Sequence, residues 1–292
     1  KKPLFHFLPG SEIFSIGTFG CDFGCEFCQN DSISQPTRAA KKEFAGDAAA
    51  QREKIHAICE QGVDLPPEEI VENCVKGGIP SIVYTYNEPA VFFEYAYDTA
   101  KLGHKKGLRN VFVSNGFESL EALKKIRPYL DAINIDLKSF REDFYRDICH
   151  ARLKPVLDNI KHCYDMGIWT EVTTLVIPGH NDSDSELSKI AGFIASISKD
   201  IPWHVSAFYP CYNMLDVPRT PGKTLLRAYS IGKKAGLNYV YTGNIPGLGH
   251  ENTFCPECGE TLVERAEMSV LQNFLKNGKC PKCKFKIAGI WK

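Results

Sequence analysis

The chain has 292 residues and carries 35 basic against 35 acidic side chains, so its formal charge is zero. That balance argues against bulk nucleic acid or an anionic membrane surface as the main partner. Hydrophobic residues at 43% and charged ones at 24% suffice for a sizeable core, which excludes an intrinsically disordered chain. No apolar run nears the roughly 20 residues that cross a bilayer. The start, Lys1-Lys2-Pro3, has neither an initiator Met nor a secretory apolar stretch, so the numbering is expected to begin inside a longer gene product.

In chain order, short β-branched runs alternate with longer amphipathic stretches. Strands are predicted at Ile13–Thr18, Ser81–Tyr86, Asn110–Ser114, Ala132–Leu137, Thr170–Ile177, His204–Phe208 and Tyr239–Thr242. Helices are predicted at Glu68–Lys76, Ala90–Lys106, Leu120–Ile126, Phe140–Cys149, Pro155–Met166, Asp184–Ile197 and Leu225–Ala235, with a further one, Ala45–Cys59, after the first strand. Pro66-Pro67 ahead of Glu68-Glu69 marks a helix start, and Ser183-x-x-Glu186 matches a capping box. Gly77-Gly78, Gly107, Gly167 and Gly236 sit where helices should stop. Such alternation implies parallel strands covered by helices. Six or seven units argue for a partial (β/α)6-type barrel over a doubly wound sheet, and the dinucleotide-binding Gly-x-Gly-x-x-Gly pattern is absent. Past residue 248 this rhythm stops. Residues 1–248 are read as the barrel and 249–292 as a small cysteine-rich appendage.

Of twelve cysteines, seven fall in two tight groups: Cys21, Cys25 and Cys28, then Cys255, Cys258, Cys280 and Cys283. Such bunching in a long chain suits metal ligation and a reducing, cytoplasmic compartment better than a disulfide framework. Cys59, Cys74, Cys149 and Cys163 lie on helical patterns as small core residues, while Cys211 follows the sixth strand and can face the site. The first group, Cys21-Asp-Phe-Gly-Cys25-Glu-Phe-Cys28, follows a strand, and strand C-terminal ends form the functional face of a β/α barrel. Three thiolates without a nearby His do not complete a tetrahedral zinc site. They can hold three irons of a [4Fe–4S] cluster and leave the fourth open.

This Cys-x3-Cys-x-aromatic-Cys loop resembles that of the radical S-adenosylmethionine (SAM) superfamily, over roughly residues 10–250. The resemblance implies Cys21, Cys25 and Cys28 as cluster ligands, with Phe27 in the aromatic position that contacts adenine. It implies that SAM chelates the open iron and is reductively cleaved to a 5′-deoxyadenosyl radical, which abstracts hydrogen from substrate. An electron donor such as flavodoxin or ferredoxin is implied with it. The polar strand ends are similar to the family's SAM contacts. Glu88 with Asn87 stands where the family receives the ammonium. Ser114-Asn115-Gly116 resembles a Thr-Asn-Gly of glycyl-radical activating enzymes, suited to ribose or carboxylate. Asp136-Leu-Lys138 resembles their Asp-x-Lys, with Lys138 for the SAM carboxylate. Val176-Ile-Pro178-Gly179 resembles their adenine-approaching turn, or simply ends a strand. Their Pro-Tyr-His has no match, because no His follows Tyr209. His204 reads as an ordinary partly buried histidine.

Cys255-x-x-Cys258 and Cys280-x-x-Cys283 read as a four-cysteine zinc ribbon, with a rubredoxin-like iron as the rival. Tyr239–Gly247, Glu251-Asn252-Thr253, Lys2–Gly10 and Cys28-Gln29-Asn30 resemble the radical SAM member of the AmmeMemoRadiSam group, itself similar to pyruvate formate-lyase activating enzyme. That resemblance implies Memo-like and AMMECR-like proteins, or a glycyl-radical enzyme, as partners. A rival reading is a non-enzymatic Fe–S electron carrier with a docking ribbon. A carrier has no need of Glu88, Asn115 and Lys138 around an open iron, and Lys and Arg are spread rather than striped, against nucleic acid.

Overall fold

The computed structural model describes residues 4–292; Lys1–Pro3, where the Lys2–Gly10 motif begins, lie outside the described residues. Seven strands form one parallel sheet whose spatial order follows the chain. They are β1 (Phe14–Ile16), β2 (Ser81–Tyr84), β3 (Arg109–Ser114), β4 (Ala132–Asp136), β5 (Trp169–Val176), β6 (Trp203–Ala207) and β7 (Val240–Gly243). Each neighbouring pair is in parallel register and no pairing joins β7 to β1 among the described residues, so the barrel is partial and open. Between β1 and β2 run α1 (Asp31–Ser34), α2 (Pro36–Glu43), α3 (Ala48–Cys59) and α4 (Pro67–Gly77). The later crossovers carry α5 (Phe93–Lys105), α6 (Leu120–Ile126), α7 (Glu142–Asp147), α8 (Leu153–Asp165), α9 (Asp184–Ile197) and α10 (Gly222–Lys234). Six strand–helix units and a seventh strand result. Trp203, Tyr84, Tyr145 and Phe112 are among the largest side chains wholly buried between sheet and helices. Among the described residues, no helix is long and apolar enough to cross a membrane.

Where element ends differ from the sequence reading, a local cause is visible. β1 stops at Ile16 because Gly17 runs against the second strand; a Cβ there would meet the Thr85 carbonyl oxygen at 2.6 Å. The segment Pro89–Phe92 is a 3₁₀ turn ahead of α5, since Glu88 caps the Ala90 N–H from an extended backbone. The predicted helix Phe140–Cys149 shortens to α7, because Glu186 takes the Phe140 N–H at 2.6 Å and Arg141 is extended. α8 starts two residues before Pro155, which the first helical turn tolerates. The short helices α1 and α2 directly after the cysteine loop were not anticipated.

The appendage is an antiparallel sheet of β8 (Thr253–Phe254), β9 (Thr261–Ala266) and β10 (Ser269–Asn273). It shares a core with the N-terminal segment and the last barrel strand: Phe5, Tyr239 and Tyr241 cluster with Leu262, Val263 and Ile287. Phe7 bridges to Ile290 as well. Across this junction runs a chain of hydrogen bonds, whose direction follows from the Nδ1–H tautomer of His6. Arg265 donates to Thr253 Oγ1 at 2.8 Å, Thr253 to Tyr241 Oη at 2.8 Å, and Tyr241 to His6 Nε2 at 2.6 Å. His6 then gives its Nδ1 proton to the Ala288 carbonyl at 2.7 Å. This direction belongs to a neutral imidazole. Burial does hold His6 down at about 4, below the ordinary 6.5. Beside it, buried Glu171 accepts from the Phe5 and His6 N–H groups, from Trp169 Nε1 and from His204 Nε2 at 2.6 to 2.9 Å.

The unfolded chain protonates His6 below about pH 6.5 while the folded chain resists until about pH 4. Stability from this group is therefore complete above the unfolded value and lost as pH falls. At about 1.4 kcal/mol per pH unit, the loss reaches roughly 3 kcal/mol across that window. Thermal unfolding at pH 7 and pH 5 should show about 2 kcal/mol of this fall, and a His6→Gln variant should show a shallower one. Equal slopes for both proteins would refute the assignment.

Candidate functional site

Residues past the C-terminal ends of β1 to β4 converge on one cavity of about 260 Å3, walled further round by β5 and β6. Cys21, Cys25 and Cys28 line it together with Glu88, Asn115 and Lys138. The cysteine loop is pinned from several sides. Gly24 and Glu26 donate backbone N–H bonds to the Cys149 and Ile148 carbonyls at 2.9 and 3.0 Å. Asn87 spends its whole side-chain amide here: Oδ1 accepts from the Thr18 N–H at 3.0 Å, and Nδ2 donates to Thr18 Oγ1 and the Gly20 carbonyl. Asn87 thus reaches the cavity wall as a staple of the loop.

The thiol of Cys25 is pushed well up, by a hydrogen bond with the Cys149 thiol and by burial. Burial is the first cause of the upward displacement at Cys21 and Cys28. Thiolates at these three positions call for a strongly positive partner. Four sulfurs around one ion crowd together, as those of the appendage do; the loop's three form no such gathering. That spread, within one cavity, fits one iron per thiolate, and the residues present fit a [4Fe–4S] cluster.

The strand ends carry an interlocked polar network. Glu88 is 1% exposed and accepts from the Ala90 N–H at 3.1 Å, the Asn115 N–H at 2.7 Å and Ser114 Oγ at 2.9 Å. Ser114 Oγ also lies 2.7 Å from Glu118 Oε1 while accepting the Gly116 N–H at 2.8 Å. A hydroxyl has one proton and here faces two carboxyl oxygens. The Glu88–Glu118 pair therefore holds a proton of its own. Burial, then Glu118 and Asp22, push Glu88 well above the usual carboxylate range, and burial raises Glu118. Asn115 Nδ2 donates to Asp22 Oδ1 at 2.7 Å and its Oδ1 accepts from the Phe117 N–H at 3.0 Å, tying β3 to the cysteine loop.

Across the cavity, Lys138 Nζ is 3.0 Å from Asp136 Oδ2 and 5.7 Å from the Phe27 ring centre. Burial opposes its charge, but Asp136 and Cys25 outweigh burial and hold it protonated. Phe27 is buried against Phe144. On β5 the wall is Thr173 and Leu175, and the Val176–Gly179 turn is folded away on Asn181, which takes the Ile177 N–H at 2.6 Å. His204 is paired with Glu171 at 2.6 Å. Cys211 is half-buried and donates to the Phe27 carbonyl at 3.4 Å. Sequence reading missed Glu118 and Asp22. Their only signal was position, four residues after Ser114 for Glu118 and inside the Cys-x3-Cys loop for Asp22.

In the appendage Cys255, Cys258, Cys280 and Cys283 bring their sulfurs within 4.8 Å of one another. The pairs Cys255–Cys283 and Cys258–Cys280 stand at 3.5 and 3.7 Å, and all four cysteines are free. Burial pushes the Cys280 thiol up, but the backbone N–H groups of Cys283 and Lys282 outweigh it and draw it to about 7. This set can close around one thiophilic metal ion.

Residues 15–191 match the sequence profile of the Radical SAM superfamily. An uncharacterized protein of Methanocaldococcus jannaschii is 40% identical over 290 residues, 98% of this chain and 80% of that protein. A second protein of that organism, named provisionally as a glycyl-radical enzyme activating enzyme, is 25% identical over 77% of this chain and 78% of its own length. The crystal structure of a radical SAM methyltransferase from Sphaerobacter thermophilus superposes with a TM-score of 0.55, at 15% identity, over 87% of this chain and 71% of that one.

Proposed function

The chain belongs to the radical SAM superfamily, and on that premise we propose that the cavity at the strand ends binds SAM beside a [4Fe–4S] cluster. When bound, the cluster supplies one electron for reductive cleavage of SAM to a 5′-deoxyadenosyl radical. Cys21, Cys25 and Cys28 would hold it. The reading rests above all on one observation: these cysteines share a single cavity with the buried Glu88 carboxylate, tied through Ser114 to Glu118, and with the half-buried, protonated Lys138. The Glu88–Glu118 pair keeps one proton, so it offers one net negative charge, suited to one ammonium. Lys138 offers the opposite charge for a carboxylate. Phe27 gives a flat apolar wall for adenine, and Asn87, Ser114 and Asn115 hold these groups in place.

Anaerobic incubation of iron-reconstituted protein with SAM and dithionite should yield 5′-deoxyadenosine and methionine together. Full iron content without 5′-deoxyadenosine would overturn the reading. The 25% identical relative's name favours activation of a glycyl-radical enzyme, and addition of such a partner in the same assay tests it. In the appendage we assign zinc to the four cysteines, as a structural ion, since four protein thiolates leave no open position.

Lys138→Ala should keep its iron but bind SAM poorly. A hydrogen bond to a charged group is worth about 1.5–3 kcal/mol, so affinity should fall roughly tenfold to more than a hundredfold. Calorimetric titration of the reconstituted variant checks this; parental affinity would return Lys138 to an internal partner of Asp136 alone.

A further inference from the structure

A second cavity, of about 350 Å3, opens beside the first and shares Ser206, Asn244 and Met268 with it. Its walls come from β6, the loop after β7, the N-terminal segment and the β9–β10 turn of the appendage. Phe5, Ile245, Pro246 and Met268 make much of it apolar. Into this setting the fold places Glu251, which is 9% exposed. No described residue donates to its carboxylate. Arg265 passes it by, giving its N–H groups to the carbonyls of Glu251 and Phe5 and to Thr253 Oγ1. His204, on the same wall, is already committed to Glu171. Thr242 lines the cavity too, and its buried hydroxyl has no hydrogen-bond partner.

The Glu251 carboxylate faces the cavity rather than packed protein, so a cation that enters there can pair with it. Glu171 is met by four donors and Glu186 by the Ser139 hydroxyl and the Phe140 N–H. Among the described residues, nothing donates to the Glu251 side chain, which lines the cavity. We propose that this cavity seats a small molecule bearing an ammonium group, with the charge on Glu251 and the carbon skeleton along Phe5, Ile245 and Met268. The proposal deepens the SAM reading and rests on it, because the shared opening at Ser206 and Asn244 joins this ligand to the SAM cavity. A neutral peptide amide, such as the backbone of a glycyl loop, has no charge to match Glu251.

The test uses n-butylamine and its neutral isostere butan-1-ol as probes on reconstituted full-length chain with SAM present. Calorimetry or ligand-observed NMR should show saturable butylamine binding at least tenfold tighter than butan-1-ol. Glu251→Gln, nearly isosteric, should weaken butylamine at least tenfold and leave butan-1-ol unchanged. Pro246→Trp, at an exposed loop position that walls this cavity and not the first, should block both probes by filling it. Butylamine bound equally by parent and Glu251→Gln, or no better than butan-1-ol, would overturn the proposal. A lysine-containing tripeptide that binds more tightly than butylamine would likewise overturn it in favour of a peptide ligand. Production of 5′-deoxyadenosine by the parent without any amine is read separately, so failure here is distinct from failure of the SAM reading.

Discussion

Cys25→Ala is expected to abolish cluster binding and SAM cleavage together. Cys25 is 6% exposed and sits between two backbone anchors, the Gly24 and Glu26 N–H groups bound to residues 149 and 148. The loop therefore cannot slide to offer another of its thiols. A cluster bound by only two protein sulfurs lacks one of the three ligands that hold it, and iron content should fall to background along with the paramagnetic signal of the reduced state. Cys149 is buried beside Cys25 and raises its thiol, but it lies behind the loop rather than on the cavity wall and is not expected to replace it. Cys149→Ala alone is accordingly expected to keep iron and cleavage, and the double variant to lose both. Retention of both properties in the double variant would remove Cys25 from the ligand set.

Cys258→Ser is expected to empty the second centre and unfold the appendage around it. Binding of structural zinc by small thiolate sites is worth about 10–16 kcal/mol and is largely folding free energy. β8 has two residues and the appendage core is small, so little else holds its three strands together. Limited proteolysis should then cut between about residues 250 and 292 in the variant while the parent resists. Metal analysis after chelation of the cluster iron should find one zinc per parent chain and none in the variant. Iron alone at that centre would overturn the zinc assignment.

The seven strands were legible because a buried parallel sheet writes itself as short β-branched runs between amphipathic helices. The cysteine groups were legible because metal ligation demands local spacing. What stayed hidden depends on partners distant in sequence. Glu171 and His204 are 33 residues apart, and neither periodicity nor a motif links them. Glu118 looks like the polar start of a helix until Ser114 is seen to lie between it and Glu88. Asn87 shows a second kind of hidden partner: it lines the cavity as its position suggests, and its amide also holds the loop through Thr18 and Gly20, which no motif announces. The short helices α1 and α2 lack the length that makes a 3.6-residue period visible.

The bond from His6 to Ala288 spans 282 positions of the chain. Closing so long a loop is entropically expensive and slow relative to forming neighbouring strand–helix units. During synthesis the barrel can collapse first, with Phe5, Tyr239 and Tyr241 still awaiting the apolar side chains that cover them. Met268, which walls both cavities, arrives only with this last closure. A chain without the appendage would carry the cysteine loop with no Met268 on the wall of either cavity.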